Sequence, residues 1–156
     1  MWASGSRVSF DRLVTEALEY LSQDEDGFFL MAEGAHIDHG GHQNNITYML
    51  QELLSFDNAV KAVLEWAKDR NDTVVIVTAD HETGGLFLED DITHEDMLAA
   101  YEGEKGAYAW TSTSHTSTDV NCYINGANID FAQYSFGTAE RIKNTDVFEI
   151  MKSLMQ

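Results

Sequence analysis

Apolar residues recur along this chain in two rhythms. From Phe10 to about Ser22 they fall every three or four positions, with Leu13, Ala17 and Leu21 on one face and Val14 and Leu18 beside it. That is the period of an amphipathic helix, and Ser9 is placed to cap it. Gln23 to Gly27 is a polar turn. Phe28 to Ala32 is a short unbroken apolar run, the pattern of a buried strand. A second helical rhythm runs from about Gln43 to Asp69 through Met49, Leu50, Leu53, Leu54, Val60, Val63, Leu64 and Ala67, with a break expected near Ser55 and Asn58. Thr73 to Ala79 is the strongest strand signal in the chain.

Beyond Leu88 the pattern weakens. Thr93 and Asp96 resemble a capping box ahead of Met97, Leu98 and Tyr101. Tyr108–Trp110 and Val120–Ile124 read as strands around a polar loop that carries His115. A last helix runs through Val147, Ile150, Met151 and Leu154, capped by Asn144 or Thr145. Met1 to Ser6 is small and polar apart from Trp2, so residues 1–8 read as a ragged start or tag and 9–156 as the domain. The alternation of helix and strand predicts the α/β class, a parallel sheet flanked by helices. Ligands of such sheets bind beyond the carboxyl ends of the strands.

Composition narrows the function. The chain has 156 residues, 44% of them hydrophobic, enough for one domain with a core. No apolar run is long enough to span a bilayer, and no basic-then-apolar signal segment opens the chain. The formal net charge is −18. That excess argues against nucleic acid and against anionic membranes. It also argues against an anionic substrate, unless bound cations reverse the local field. The bland account of the acidity is a solubilising surface, which is compatible with a metal site. The single cysteine, Cys122, excludes an internal disulfide and a cysteine-rich zinc site, and reads as a buried thiol. Proline is absent altogether, which nothing in the pattern explains.

Three segments carry the chemistry: Met31-Ala-Glu-Gly-Ala-His-Ile-Asp-His-Gly-Gly-His42, Thr78-Ala-Asp-His-Glu-Thr-Gly-Gly85 and Ser114-His-Thr-Ser-Thr-Asp-Val120. The first two follow predicted strands. Asp38 and His42 are four apart, and Gly40 with Gly41 predicts a turn that folds His42 back toward Asp38. Carboxylate oxygen and neutral imidazole suit zinc, and an open catalytic zinc takes three protein ligands, so His115 is the natural third. Asp80 and His81 would face opposite ways on a continuing strand, so a bend after Ala79 must unite them. Glu33 is a hard oxygen ligand that suits magnesium. Simpler readings stand beside these. His36, His39 and His94 read as surface residues, Ser114 and Thr116 to Thr118 as loop polarity, and Trp66 and Trp110 as packing. Asp80 equally suits a helix cap ahead of Thr83-Gly-Gly. The joint occurrence of three such segments is what surface decoration explains poorly.

These residues closely resemble the alkaline phosphatase family. The matching runs are Phe28-Phe-Leu-Met-Ala-Glu-Gly34, Ile37-Asp-His-Gly-Gly-His42, Val75-Ile-Val-Thr-Ala-Asp-His-Glu-Thr-Gly-Gly-Leu86 and His115-Thr-Ser-Thr-Asp-Val120. Weaker support comes from Phe56-Asp-Asn-Ala-Val60 and Asn144-Thr-Asp146. The likeness runs from about Val14 to Met151 and matches the C-terminal half of the family's catalytic domain. It implies a three-layer α/β/α sandwich with a mostly parallel sheet. It implies phosphate monoester hydrolysis by two zincs and a magnesium. Asp38, His42 and His115 would hold the zinc that activates water, Asp80 and His81 the zinc that activates a serine, and Glu33 would help bind magnesium. Two metals about 4 Å apart stabilise the entering and leaving oxygens of an in-line displacement.

The serine nucleophile in its Asp-Ser-Ala context is missing from this sequence, as are the early bridging aspartate and the phosphate-clamping arginine. Arg7, Arg12, Arg70 and Arg141 lie away from the motifs in sequence. The chain is therefore expected to bind one zinc well and to lack a phosphoserine pathway. The resemblance further implies phosphate monoester substrates, a periplasmic or extracellular setting, and either a homodimer or a complementary N-terminal half as partner. Two rivals are a phosphodiesterase or phosphoglycerate mutase of the same superfamily, and a non-catalytic metal-binding fragment.

Overall fold

The computed structural model describes residues 8–104, 106, 108–126 and 141–155. The expected ragged start falls almost wholly outside them. Its spine is α3 (Ile46–Ala67), which begins where the Asn45 side chain accepts the Tyr48 backbone N–H at 3.0 Å. The break expected near Ser55 does not occur. Ala59, 3% exposed, continues the apolar stripe against Val14 and Leu18 of α1 (Phe10–Leu21), and packing carries the helix through. Phe28, Leu30, Val63 and Trp66 close this first cluster. At its other end α3 gives Ile46 and Met49 to a second cluster with Ala100, flanked by Ile37, Leu86 and Trp110. Trp66 and Trp110 both pack, as expected.

Phe28 to Ala32 was expected as a buried strand, and it joins no ladder among the described residues. Phe28 and Leu30 face the first cluster, whereas Phe29 and Met31 are exposed. The side chains thus alternate as a strand's do, but no described segment pairs with it.

From Val74 to Gly126 the chain runs out and back. β1 (Val74–Thr78), β2 (Glu82–Thr83) and β3 (Leu86–Leu88) lead outward. α4 (His94–Tyr101) reverses the chain, and β4 (Tyr108–Trp110), β5 (His115–Thr116) and β6 (Cys122–Gly126) return. The pairs are nested and antiparallel: β1 with β6, β2 with β5, β3 with β4. The α/β class stands, but the ladders among the described residues are not the parallel ones that alternation suggested. The short apolar runs on either side of α4 are complementary, and they pair directly. The ribbon is interrupted twice. Between Thr78 and Glu82 three residues oppose five on the return arm, and between Thr83 and Leu86 two oppose four. Each interruption therefore leaves extra residues on the return arm, the bulge-type device that bends a ribbon and re-aims side chains.

The capping box at α4 is present: Thr93 Oγ1 accepts the Asp96 N–H, and Asp96 accepts the Thr93 N–H at 2.8 Å. At α5 (Asn144–Leu154) neither Asn144 nor Thr145 is the cap. Lys143 stands there, and its backbone N–H donates to the Asp146 carboxylate at 2.8 Å, because Asp146 three positions on can reach back. No helix among the described residues is long and apolar enough to cross a membrane.

Candidate metal centre

The segment expected to turn at Gly40 and Gly41 is a helix, α2 (His36–His42). Asp38 and His42 therefore meet by helical spacing, with Asp38 Oδ1 3.4 Å from His42 Nε2. The glycines serve close approach instead. A Cβ on Gly40 would stand 2.6 Å from Met49 Cα, and one on Gly41 2.9 Å from the Thr83 carbonyl oxygen. Their bareness lets α2 lie against both α3 and β2.

His115 arrives on β5, where Thr83 is its ladder partner. Its Nε2 lies 3.3 Å from Asp38 Oδ1 and 3.1 Å from His42 Nε2. Asp38, His42 and His115, with His115 lying 73 residues beyond His42 in sequence, thus bring three donor atoms within 3.1–3.4 Å of one another. Ligands about 2.0–2.1 Å from a tetrahedral ion lie about 3.3–3.4 Å apart, so this spacing fits zinc. His81 joins from the first ribbon interruption. Donor atoms of Asp38, His81 and His115 lie within 4.8 Å of one another, and the His81 and His115 rings stack with centroids 3.5 Å apart. Asp38 and His115 belong to both sets.

Supporting groups orient these ligands. His42 Nδ1 donates to the Thr113 carbonyl at 2.7 Å, which leaves the Nε2 lone pair facing Asp38. Thr83 Oγ1 donates to Asp38 Oδ1 at 2.6 Å and lies 3.2 Å from His81 Nδ1. Glu82 accepts the Gly85 and Leu86 backbone N–H groups at 3.1 and 3.2 Å and the Thr116 hydroxyl, tying β2 to the strand that bears His115. Thr113, Thr83 and Glu82 were not singled out from sequence. For Thr83 a signal existed, since two residues past His81 on an extended segment is the same face. A backbone carbonyl such as that of Thr113 leaves no trace in residue type. Partial burial pushes the Asp38 carboxyl up, but the Thr83 hydrogen bond and the His42, His115 and His81 imidazoles outweigh it and hold it below the usual carboxylate range.

The remaining candidates lie elsewhere. Asp80 sits at the bend after β1, its Oδ2 3.2 Å from His81 Nε2, with the side chain 86% exposed. A strand, β2, follows it, so it caps no helix. Glu33 lines a recess of about 200 Å³ with His36, Glu52 and Phe56, apart from the donors gathered at Asp38. His36 and His39 are exposed and stack at 5.0 Å, and His94 is exposed at the start of α4. Arg12 pairs with Glu16 and Arg70 lies over Trp66. Arg141, remote in sequence, reaches Asp119 of the third motif at 2.9 Å. Arg7 lies outside the described residues.

The chain folds as an α/β protein whose gathered carboxylate and imidazole groups could hold a divalent cation. The family model for alkaline phosphatase matches residues 4–105. The repressible alkaline phosphatase of Saccharomyces cerevisiae is 36% identical over 132 residues, which are 83% of this chain and 22% of that protein. The crystal structure of a cold-active alkaline phosphatase from a psychrophilic Shewanella superposes with a TM-score of 0.74 at 23% identity, covering 98% of this chain and 52% of that one. A magnesium-bound variant of TAB5 alkaline phosphatase superposes at 0.62 with 35% identity, over 75% of this chain and 34% of that one. The chain belongs to the alkaline phosphatase family. It spans only about a fifth of the length of the yeast relative.

Proposed function

We propose that this chain is the metal-binding part of a phosphomonoesterase of the alkaline phosphatase type. The observation that carries the reading is the mutual 3.1–3.4 Å spacing of the Asp38, His42 and His115 donor atoms. Asp38, His42 and His115 would hold the first zinc, Asp80 and His81 would contribute to the second, and Glu33 to magnesium. Held by these residues, a zinc would supply Lewis acidity toward a phosphoryl oxygen and a water of pKa near about 7. The chain's own residues orient it: the Thr113 carbonyl fixes the His42 tautomer, and Glu82 locks the β2–β5 ladder that presents His115. A bound cation also answers the charge conflict, because an acidic chain of net charge −18 then meets an anionic phosphate monoester through positive charge.

No Asp-Ser-Ala nucleophile is present in the sequence, so the phosphoserine pathway needs a complementary N-terminal half. The same absence, with the small share of the yeast relative covered, favours a second reading: a metal-binding fragment without activity of its own. The periplasm or the extracellular space is the setting proposed from the family, and homodimerisation the alternative assembly.

Isothermal titration with zinc tests the core of the reading. One tight site is expected, abolished by His115→Ala. Two tight sites would contradict the partial second set, and no binding would remove the metal reading. A zinc-supplemented phosphatase assay then separates the enzyme from the fragment. His42→Ala and His81→Ala decide which imidazole shares the ion with Asp38 and His115.

A further inference from the structure

A hydroxyl carries one hydrogen, and the Thr83 hydroxyl stands between two of the gathered ligands. At 2.6 Å from Asp38 Oδ1 that hydrogen goes to the carboxylate. Toward His81 Nδ1, 3.2 Å away, the same oxygen has only lone pairs left, so Nδ1 must carry the proton. In the neutral ring the His81 Nε2 is then bare and able to ligate. Asp80 works the other way: its Oδ2, 3.2 Å from Nε2, favours a proton there. Thr83 is also placed rigidly. It pairs with His115 across the β2–β5 ladder, and its carbonyl oxygen lies against Gly41 of α2.

We infer that Thr83 is a positioning residue that sorts the protons of this site, steering Asp38 by donation and fixing His81 in the Nδ1–H tautomer by acceptance. It touches neither substrate nor ion in this role. The inference rests on the metal reading for its consequence, but the tautomer belongs to the protein without metal. Groups that orient metal ligands in this way typically change affinity about 10–100-fold when removed.

Two pairs of chains isolate the hydroxyl. Thr83→Val keeps the methyl volume that wild-type Thr83 has. Thr83→Ser and Thr83→Ala differ from each other only in the hydroxyl. Zinc affinity is expected to fall about 10–100-fold in Thr83→Val and Thr83→Ala and to stay near wild type in Thr83→Ser. Long-range proton–nitrogen correlation of the metal-free, nitrogen-labelled chain at pH 8 is expected to show Nδ1–H at His81 in the wild type and Thr83→Ser. The proton should move toward Nε2 in the other two, where Asp80 is unopposed. Circular dichroism identifies any variant that fails to fold, and the remaining pair still decides. The same tautomer in every chain overturns the inference, as does equal zinc affinity in Thr83→Ser and Thr83→Ala. Should the wild type bind no zinc, the metal reading fails while the tautomer comparison still judges Thr83.

Discussion

Leu18 and Asp38 belong to two regions held by different forces. Leu18, 5% exposed, is buried where α1 lies on α3, among Val14, Ala59 and Trp66. Asp38 keeps a third of its side chain in water and is fixed by hydrogen bonds and imidazoles from elements of two to seven residues. Area removed from water stabilises the first region, and that energy is non-directional. The second buries little, and its value depends on where a few donor atoms stand. Stability and site geometry are therefore separable in this molecule, and substitutions should sort by region.

Leu18→Ala makes the largest change in stability. It removes a buried side chain and is expected to lower unfolding free energy by about 2–5 kcal/mol. Urea unfolding measures it, and the zinc affinity of the folded fraction should be unchanged. A matching loss of affinity would show that the regions are coupled. Gly40→Ala comes next and crosses the boundary. Its Cβ would press on the Met49 backbone at 2.6 Å, which a flexible side chain cannot relieve. About 1–3 kcal/mol of destabilisation is expected. Zinc affinity should fall as well, since α2 can no longer seat Asp38 against β2.

The difference between the regions also decides what the sequence made legible. The helical rhythm of Val14, Leu18 and Ala17 told of α1, because burial of an amphipathic face leaves a period in the residues. Asp38, His42 and His115 were legible as a set because their residue types are those of metal sites. The helix that carries the first two was not. Two glycines in seven residues read as a turn, and only contact with Met49 and Thr83 explains them. The antiparallel return arm was hidden for a similar reason. β2 and β5 are two residues each, too short to show alternation, and their pairing depends on α4 reversing the chain. Phe28 to Ala32 shows the converse case: its pattern is a strand's, but pairing is a property of two segments and no sequence window contains both.

Glu82→Gln sharpens the contrast from the polar side. The amide keeps one acceptor and loses the charge that holds the Gly85, Leu86 and Thr116 donors. A stability loss of only about 1 kcal/mol is expected. The loosened β2–β5 ladder should nevertheless weaken zinc binding severalfold through His115. Calorimetric titration beside urea unfolding gives both numbers. A variant that loses stability but binds zinc as before would mean that β5 is positioned by something other than Glu82.

The smallest effect concerns a polar device that shares no hydrogen bond with the metal-type site, the capping box of α4. The Thr93 hydroxyl and backbone N–H both bond the Asp96 carboxylate and hold its pKa below the ordinary carboxylate value of 3.8. A carboxyl whose folded pKa lies below its unfolded one adds stability that is fully present above the unfolded value. That stability is lost as pH falls from about 3.8 through the lower folded value. Asp96→Asn should therefore be less stable than wild type at neutral pH, and the gap between them should narrow on acidification through that window. Asp38 also titrates below the usual range and would contribute to any acid transition of the wild type. The difference between wild type and Asp96→Asn removes that shared part and leaves the cap. If the gap stays constant with pH, the box is held by shape alone, and its charge does nothing for α4.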